Sequence, residues 1–362
     1  MNQLRGTPHN GPMADRDNNF NLIRIAAAVA VLVSHAWPLS LGRGTVEPLM
    51  GWLEGASLGR VAVLTFFGIS GYLITASAQR SHGMDFVAAR CMRIMPALAV
   101  VLMATALLLG PAVTTLSLAQ YFSTPRVATY VTGNLTFHFF QRDLPGVFMG
   151  NPYNHMVNDS IWTLYYEVIC YIGVWAVAIA GGVRARWIGA GAVVAFAAFY
   201  MVPFDSLTLI TVQGFSLPFV IGATIRVWQI PIRLWVLAPL IAGAVLLHGT
   251  PLFHEALALN VTYGALVLAF MPLRLARRYN AVGDYSYGFY IWAFPVQQTV
   301  ANCWDLTPLA HIAVALPITL IFAIGSWHLI EKPALALRYR RTATGGGLTR
   351  APASSATPLA QH

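Results

Sequence analysis

The chain has 362 residues, 57% of them hydrophobic and only 10% charged, where a soluble domain carries about 25% charged residues. That balance excludes an ordinary soluble globule. The net charge of +9 comes from 22 basic residues scattered singly or in pairs between apolar runs, which is the pattern of membrane-orientation signals rather than of a nucleic-acid surface.

Residues 1–20 are polar and lack the apolar core of a signal peptide, so the first hydrophobic segment reads as a retained helix with the N-terminus in the cytoplasm. Crossing roughly 30 Å of hydrocarbon takes about 20 mostly apolar residues. Ten such segments follow, at 22–41, 58–79, 93–111, 160–180, 186–203, 207–228, 233–249, 256–273, 285–304 and 308–330. The predicted fold class is therefore all-α, a polytopic bundle of about ten transmembrane helices occupying 21–335. The long connection 112–159 mixes Gly, Pro, Asn and Tyr and reads as an outer loop with interfacial or partly re-entrant helix. Residues 336–362 read as a basic, then disordered, cytoplasmic tail.

Charge sets the orientation. With the N-terminus inside, the inward loops collect Arg80, Arg90, Arg93, Arg184, Arg186, Arg226, Arg233, Arg274, Arg277 and Arg278, and the tail adds Arg338, Arg340, Arg341 and Arg350. The outward side holds four arginines, Arg43, Arg60, Arg126 and Arg142, beside most of the acids. Both termini are thus predicted to be cytoplasmic. Cys91, Cys170 and Cys303 are odd in number and lie in or at the ends of apolar runs, so they give no disulfide framework.

Ionisable groups inside a span are costly and are functional candidates by default. In the first helix, Arg24 and His35 are separated by eleven residues, about three full turns and about 16 Å of rise, so they share one face. The plain alternative is an interfacial arginine and a core histidine bonded to a neighbour. Arg90 and Arg93, at i and i+3 on one face, can fork onto phosphates or simply anchor the inner end of the third helix. Glu167 follows Asn158-Asp159-Ser160-Ile161-Trp162-Thr163-Leu164-Tyr165-Tyr166. It lies about 10 Å below the outer surface, a depth similar to that of His35. A buried carboxylate able to orient a buried imidazole is a general-base arrangement. Asp159 or Ser160 suits the N-cap of that helix, and Trp162 suits the aromatic belt. In Phe66-Phe67-Gly68-Ile69-Ser70-Gly71-Tyr72-Leu73 the glycines permit close helix contact, and Ser70 is a cavity-lining candidate, as are Trp162, Tyr166 and Tyr287.

The Arg24 to His35 spacing, the Phe66–Leu73 run, Arg90-Cys91-Met92-Arg93-Ile94-Met95-Pro96, Ile161–Glu167 and the late Gly283-Asp284-Tyr285-Ser286-Tyr287-Gly288-Phe289-Tyr290-Ile291-Trp292 occur in the order of the acyltransferase-3 family. The chain resembles that family over residues 20–335, and Glu331-Lys332-Pro333 resembles its closing Glu-x-Pro. The resemblance implies a multi-pass protein of the bacterial inner membrane. It would move an acyl group, commonly acetyl, from cytosolic acyl-coenzyme A to a hydroxyl of an envelope or exported carbohydrate or similar acceptor, with no metal and no nucleic-acid partner. It makes His35 the essential histidine, with Glu167 matching the family acid, and Arg24, Arg90 and Arg93 the basic groups on the donor side. The chain departs from many members at Ala293, where they carry a histidine, and it lacks the extra extracytoplasmic domain of some. A transporter or flippase of a lipid-linked envelope precursor would also need many helices and buried polar groups.

Overall fold

The computed structural model describes residues 18–337 apart from 82, 139, 273–278, 280 and 281. The N-terminal residues 1–17, the tail beyond 337, and Arg274, Arg277 and Arg278 lie outside the described residues. Among the described residues the chain is helical without strands. The helices are α1 Phe20–Leu41, α2 Leu58–Arg80, α3 Gly83–Ala104, α4 Gly110–Val113, α5 Leu118–Ser123, α6 Pro125–Thr136, α7 Trp162–Ile179, α8 Arg186–Met201, α9 Leu207–Trp228, α10 Leu237–Leu246, α11 Phe253–Phe270, α12 Ser286–Cys303 and α13 Pro308–Ser326.

Every one of the ten apolar segments overlaps one of these helices, and seven helices are long and apolar enough to cross a membrane. They are α1, α2, the rod Gly83–Val113, α7, α9, α11 and Pro308–Leu337. Arg186–Met201 and Leu234–Leu246 are apolar but shorter. Helix α12 has 18 residues but contains Tyr287, Tyr290, Gln297 and Gln298, and these polar groups keep it out of that set. Large side chains such as Trp187 and Leu246 are almost fully exposed, as a lipid-facing surface requires.

Two sequence expectations need correction. Helix α3 begins at Gly83, not near 93, because Asp85, Arg90 and Arg93 lower the hydropathy of its first turns without breaking the helix. The arginines therefore stand inside α3 instead of at its start. The N-cap of α7 is Ile161, and no side chain caps it. Asp159 and Ser160 have other roles there.

Glycines set the tightest helix contact. A Cβ on Gly71 would lie 1.9 Å from the Phe219 carbonyl oxygen, and one on Gly222 would lie 2.1 Å from that of Gly68. Helices α2 and α9 thus meet backbone to backbone, which larger residues forbid. Helix α1 is packed among α2, α11, α12 and α13, and its Ala28, Leu32, Ala36 and Leu39 are completely buried.

Proline positions the outer loop. Pro295 lies inside α12 and has no N–H, so the Ile291 carbonyl four residues earlier loses its helical donor. Asn158 Nδ2 supplies one instead, at 3.0 Å. One turn further on, Gln298 Nε2 donates to the carbonyls of Tyr153 (2.6 Å) and Met156 (2.7 Å). Asn151 Nδ2 donates back to the Gln298 carbonyl (2.9 Å) and its Oε1 (2.7 Å). Segment 151–160 is pinned to α12 by side-chain bonds and carries Asp159 and Ser160 to the end of α1.

Candidate active site

At the end of the bundle where α1 finishes and α2 and α7 begin lies a cavity of about 320 Å³. His35, Ser57, Arg60, Asp159, Ser160 and Thr163 contribute its polar wall, and Val31, Val63, Trp162 and Phe215 much of its apolar one. His35 Nδ1 is buried without a hydrogen-bond partner among the described residues, and the His35 ring meets Phe294 edge to face with centroids 5.3 Å apart. An imidazole that lines a cavity can give or take a proton from a molecule that enters.

The carboxylate in this cavity is Asp159. Arg142 pairs with its Oδ1 at 2.7 Å, and the Tyr153 hydroxyl donates to its Oδ2 at 2.7 Å. Burial, reinforced by the Asp159 charge, pushes the Tyr153 hydroxyl up to about 12, so Tyr153 remains a donor. Arg43 stacks over the Tyr153 ring at 4.5 Å. Tyr290 closes the floor: its hydroxyl contacts Thr163 Oγ1 at 2.6 Å and donates to the Ser160 carbonyl at 3.0 Å. Behind the cavity, Ser34 Oγ donates to Glu47 Oε2 at 2.5 Å, and Glu47 Oε1 accepts the Leu58 N–H at the start of α2. Glu47 thereby ties the loop before α2 to the residue next to His35.

The opposite end of the bundle carries an ion network. Asp284 Oδ2 accepts from Arg24 at 2.6 Å and from Arg93 at 2.5 Å. Arg93 also pairs with Glu331 at 3.0 Å, between the rings of Tyr287 and Trp327 at 5.7 and 5.8 Å. Burial by itself would raise the Asp284 carboxyl, but the two guanidiniums outweigh it and hold the group at about 2. Glu331 closes a π-helical turn, Trp327–Glu331, a distortion often found where a side chain must be re-aimed. Its Oε1 accepts from Ser326 Oγ at 2.9 Å.

Between the two ends runs a polar seam. Thr163, Glu167 and Tyr171 follow at i, i+4 and i+8 down one face of α7. Glu167 Oε1 accepts from the Tyr171 hydroxyl and from Ser70 Oγ, the latter at 3.3 Å. Tyr171 in turn lies within electrostatic reach of Arg90 and Arg24.

Among the sequence candidates, His35 and Trp162 line the cavity. Tyr166 packs its ring on Trp162 and Phe215 beside it. Ser70 is in the seam, and Tyr287 is buried under Arg93 with its hydroxyl on the Ile94 carbonyl at 2.9 Å. Glu167 is not brought to His35: it is bonded one turn deeper, to Ser70 and Tyr171, and is absent from the cavity wall. Arg24 and Arg93 stand together across Asp284, with Arg90 one turn before Arg93 on α3. Residues to which sequence reasoning assigned no catalytic or binding role are Asp159, read only as a helix cap, Tyr153, Glu47, Asp284 and Glu331. Of these, Asp284 and Glu331 were already visible inside the late motifs. Ala293, where a histidine was expected from the resemblance, is completely buried in α12. No group of three or more His, Cys, Asp or Glu side chains is placed to hold a metal ion among the described residues.

Residues 17–328 match the family model described as an acyltransferase domain. An "O-acetyl transferase" of Shigella phage Sf6 is 31% identical, over 88% of this chain and 96% of that protein. "Nodulation protein 10" of Rhizobium leguminosarum bv. viciae is 28% identical, over 91% of this chain and 96% of that protein. No solved structure matches the chain.

Proposed function

The chain belongs to the acyltransferase-3 family, and on that premise we propose that it carries an acyl group, acetyl in the first instance, from cytosolic acyl-coenzyme A to a hydroxyl of an envelope or exported carbohydrate. That it is a membrane acyltransferase, and one acting on other than aminoacyl groups, follows from the family and its helices. The "O-acetyl transferase" name of the phage relative favours acetyl as the group and oxygen as its destination.

The observation that carries the proposal is His35, which lines the 320 Å³ cavity and whose buried Nδ1 has no hydrogen-bond partner among the described residues, about 16 Å along α1 from Arg24. Arg24, Arg90 and Arg93 would meet the phosphates of the donor at the cytoplasmic end. The thioester arm would follow the seam past Tyr171, Glu167 and Ser70. At the cavity, His35 takes the proton from the acceptor hydroxyl as its oxygen attacks the thioester carbonyl. The carbon–sulfur bond breaks and the proton passes to the departing thiolate, leaving an ester and free coenzyme A. A variant route, acyl transfer first to the His35 nitrogen and then to the acceptor, uses the same placement. Asp159 supports the imidazolium through its charge in the same cavity, and Glu167 acts from the seam.

Ten spans in the bacterial inner membrane, with both termini in the cytoplasm, are part of this proposal. Support comes from helices in all ten apolar segments and from the arginine asymmetry. The test is purified protein with labelled acetyl-coenzyme A and envelope carbohydrate. Thiol release matched by new ester supports transfer. Movement of an intact lipid-linked precursor across vesicles without ester formation would favour a transporter.

A further inference from the structure

The cavity holds a cation whose position needs a reason. Arg60 is exposed in the first turn of α2, where its own N–H is spent on Ser57 Oγ at 3.0 Å. A positive side chain there opposes the helix dipole, and among the described residues no carboxylate forms an ion pair with it. The nearby acids do not pair with it. Asp159 has both oxygens on Arg142 and Tyr153, Glu47 has both on Ser34 and Leu58, and Glu255 accepts the Tyr200 hydroxyl with Oε1 at 2.9 Å while its Oε2 is buried without a partner among the described residues.

In the same cavity lining, Ser160 is 1% exposed and its Oγ has no partner among the described residues, although its N–H and carbonyl are both bonded. Buried hydroxyls are nearly always satisfied, and an exception calls for an explanation. Among the described residues, Ser160 with its unpaired Oγ, His35 with its unpaired Nδ1 and Arg60 without an ion pair thus line the same cavity. A neutral sugar would satisfy the first two and leave the third.

We propose that the cavity is an acceptor subsite for an anionic molecule, with Arg60 engaging a carboxylate or phosphate while the hydroxyl to be acylated lies against Ser160 and His35. This rests on acyl transfer at His35 as set out above. Arg60 is then a specificity-determining residue. The anion can be an acidic sugar's carboxylate or the phosphate of a lipid-linked sugar, since a guanidinium forks onto either.

Binding to the purified full chain separates the possibilities, with trigalacturonate, a galactose trimer and inorganic pyrophosphate as probes. The subsite predicts that one or both anions bind at least about tenfold more tightly than the neutral trimer. Arg60→Gln should remove that preference, Arg60→Lys should restore part of it, and Ser160→Ala should weaken all sugar binding equally. Preference for trigalacturonate marks an acidic sugar, and preference for pyrophosphate marks a phosphate-bearing carrier. Equal binding of neutral and anionic probes, binding of neither anion, or an anion preference unchanged in Arg60→Gln overturns the proposal. His35→Ala should keep the anion preference and lose acetyl-coenzyme A turnover. If it keeps turnover, the transfer proposal fails independently of Arg60.

Discussion

Replacing Arg93 by methionine tests whether the ion network holds the bundle or waits for a ligand. Arg93 is bonded to Asp284 and Glu331 at once, and Glu331 is 1% exposed with the Ser326 hydroxyl as its other hydrogen-bond partner among the described residues. Asp284 would keep Arg24, but Glu331 would lose its direct ion-pair partner and be left with the weaker field of Arg24. Breaking one side of a buried ion pair costs about 3–5 kcal/mol, a factor of about 10² to 10³ or more in the folding equilibrium. Glu331→Gln should cost less, because Arg93 retains Asp284, and about 1.5–3 kcal/mol is the range for one charge-assisted bond. In Arg93→Met/Glu331→Gln both partners are neutral, so the loss should fall below the sum of the two by about 1–3 kcal/mol. Thermal unfolding of detergent-purified variants, followed by tryptophan fluorescence and gel filtration, reads these differences. Arg93→Met with unchanged unfolding and weaker acyl-coenzyme A binding would refute the structural role and make Arg93 a donor ligand alone.

Three further outcomes follow from the same geometry. Gly71→Ala should abolish the folded protein: helix propensity favours alanine by only about 1 kcal/mol, while its Cβ would sit 1.9 Å from the Phe219 carbonyl oxygen, and a monodisperse, active variant would show that α2 and α9 can part. The Asp284 carboxyl is held near 2 in the fold against an ordinary 3.8, so its stabilisation is fully present above about pH 4 and is lost as pH falls toward 2; melting curves from pH 7 to 3 should be steeper at the acid end for wild type than for Asp284→Asn. Asp159→Asn should lower turnover at least about tenfold by removing the charge beside His35, and Glu167→Gln should be additive with it, because the two carboxylates act at separate places; strong non-additivity in turnover would join them into one unit.

Much of the architecture is legible because lipid demands long apolar runs, and seven of the ten runs coincide with helices long and apolar enough to cross a membrane. What failed was anything depending on polar stretches. The first turns of α3 carry Asp85, Arg90 and Arg93 and so did not register as part of a span, yet they are helical. The shared face of Arg24 and His35 could be read from residue count within one helix, since rise and rotation are both fixed there. His35 and Glu167 are on different helices, and rise gives depth without the direction in which α7 points its side chains. Glu167 consequently faces Ser70 and Tyr171, and the carboxylate of the cavity is Asp159, delivered by a loop. That loop is held by Asn151, Asn158 and Gln298 against a proline-interrupted helix, pairings between residues about 130 to 150 apart that no local pattern announces. Asp284 and Glu331 lay in recognisable motifs, but their common partner Arg93 is visible only once α3, α12 and the end of α13 meet.

The most direct measurement is turnover per folded molecule in His35→Ala, with acetyl-coenzyme A binding measured on the same preparation. Placement of His35 at the cavity proposed for the acceptor, at the end of the bundle opposite the Arg24–Asp284–Arg93 network, predicts donor affinity close to wild type and ester formation lower by about 10² or more. Normal ester formation by a folded His35→Ala protein would contradict that role, and loss of donor binding with it would move His35 to the donor site.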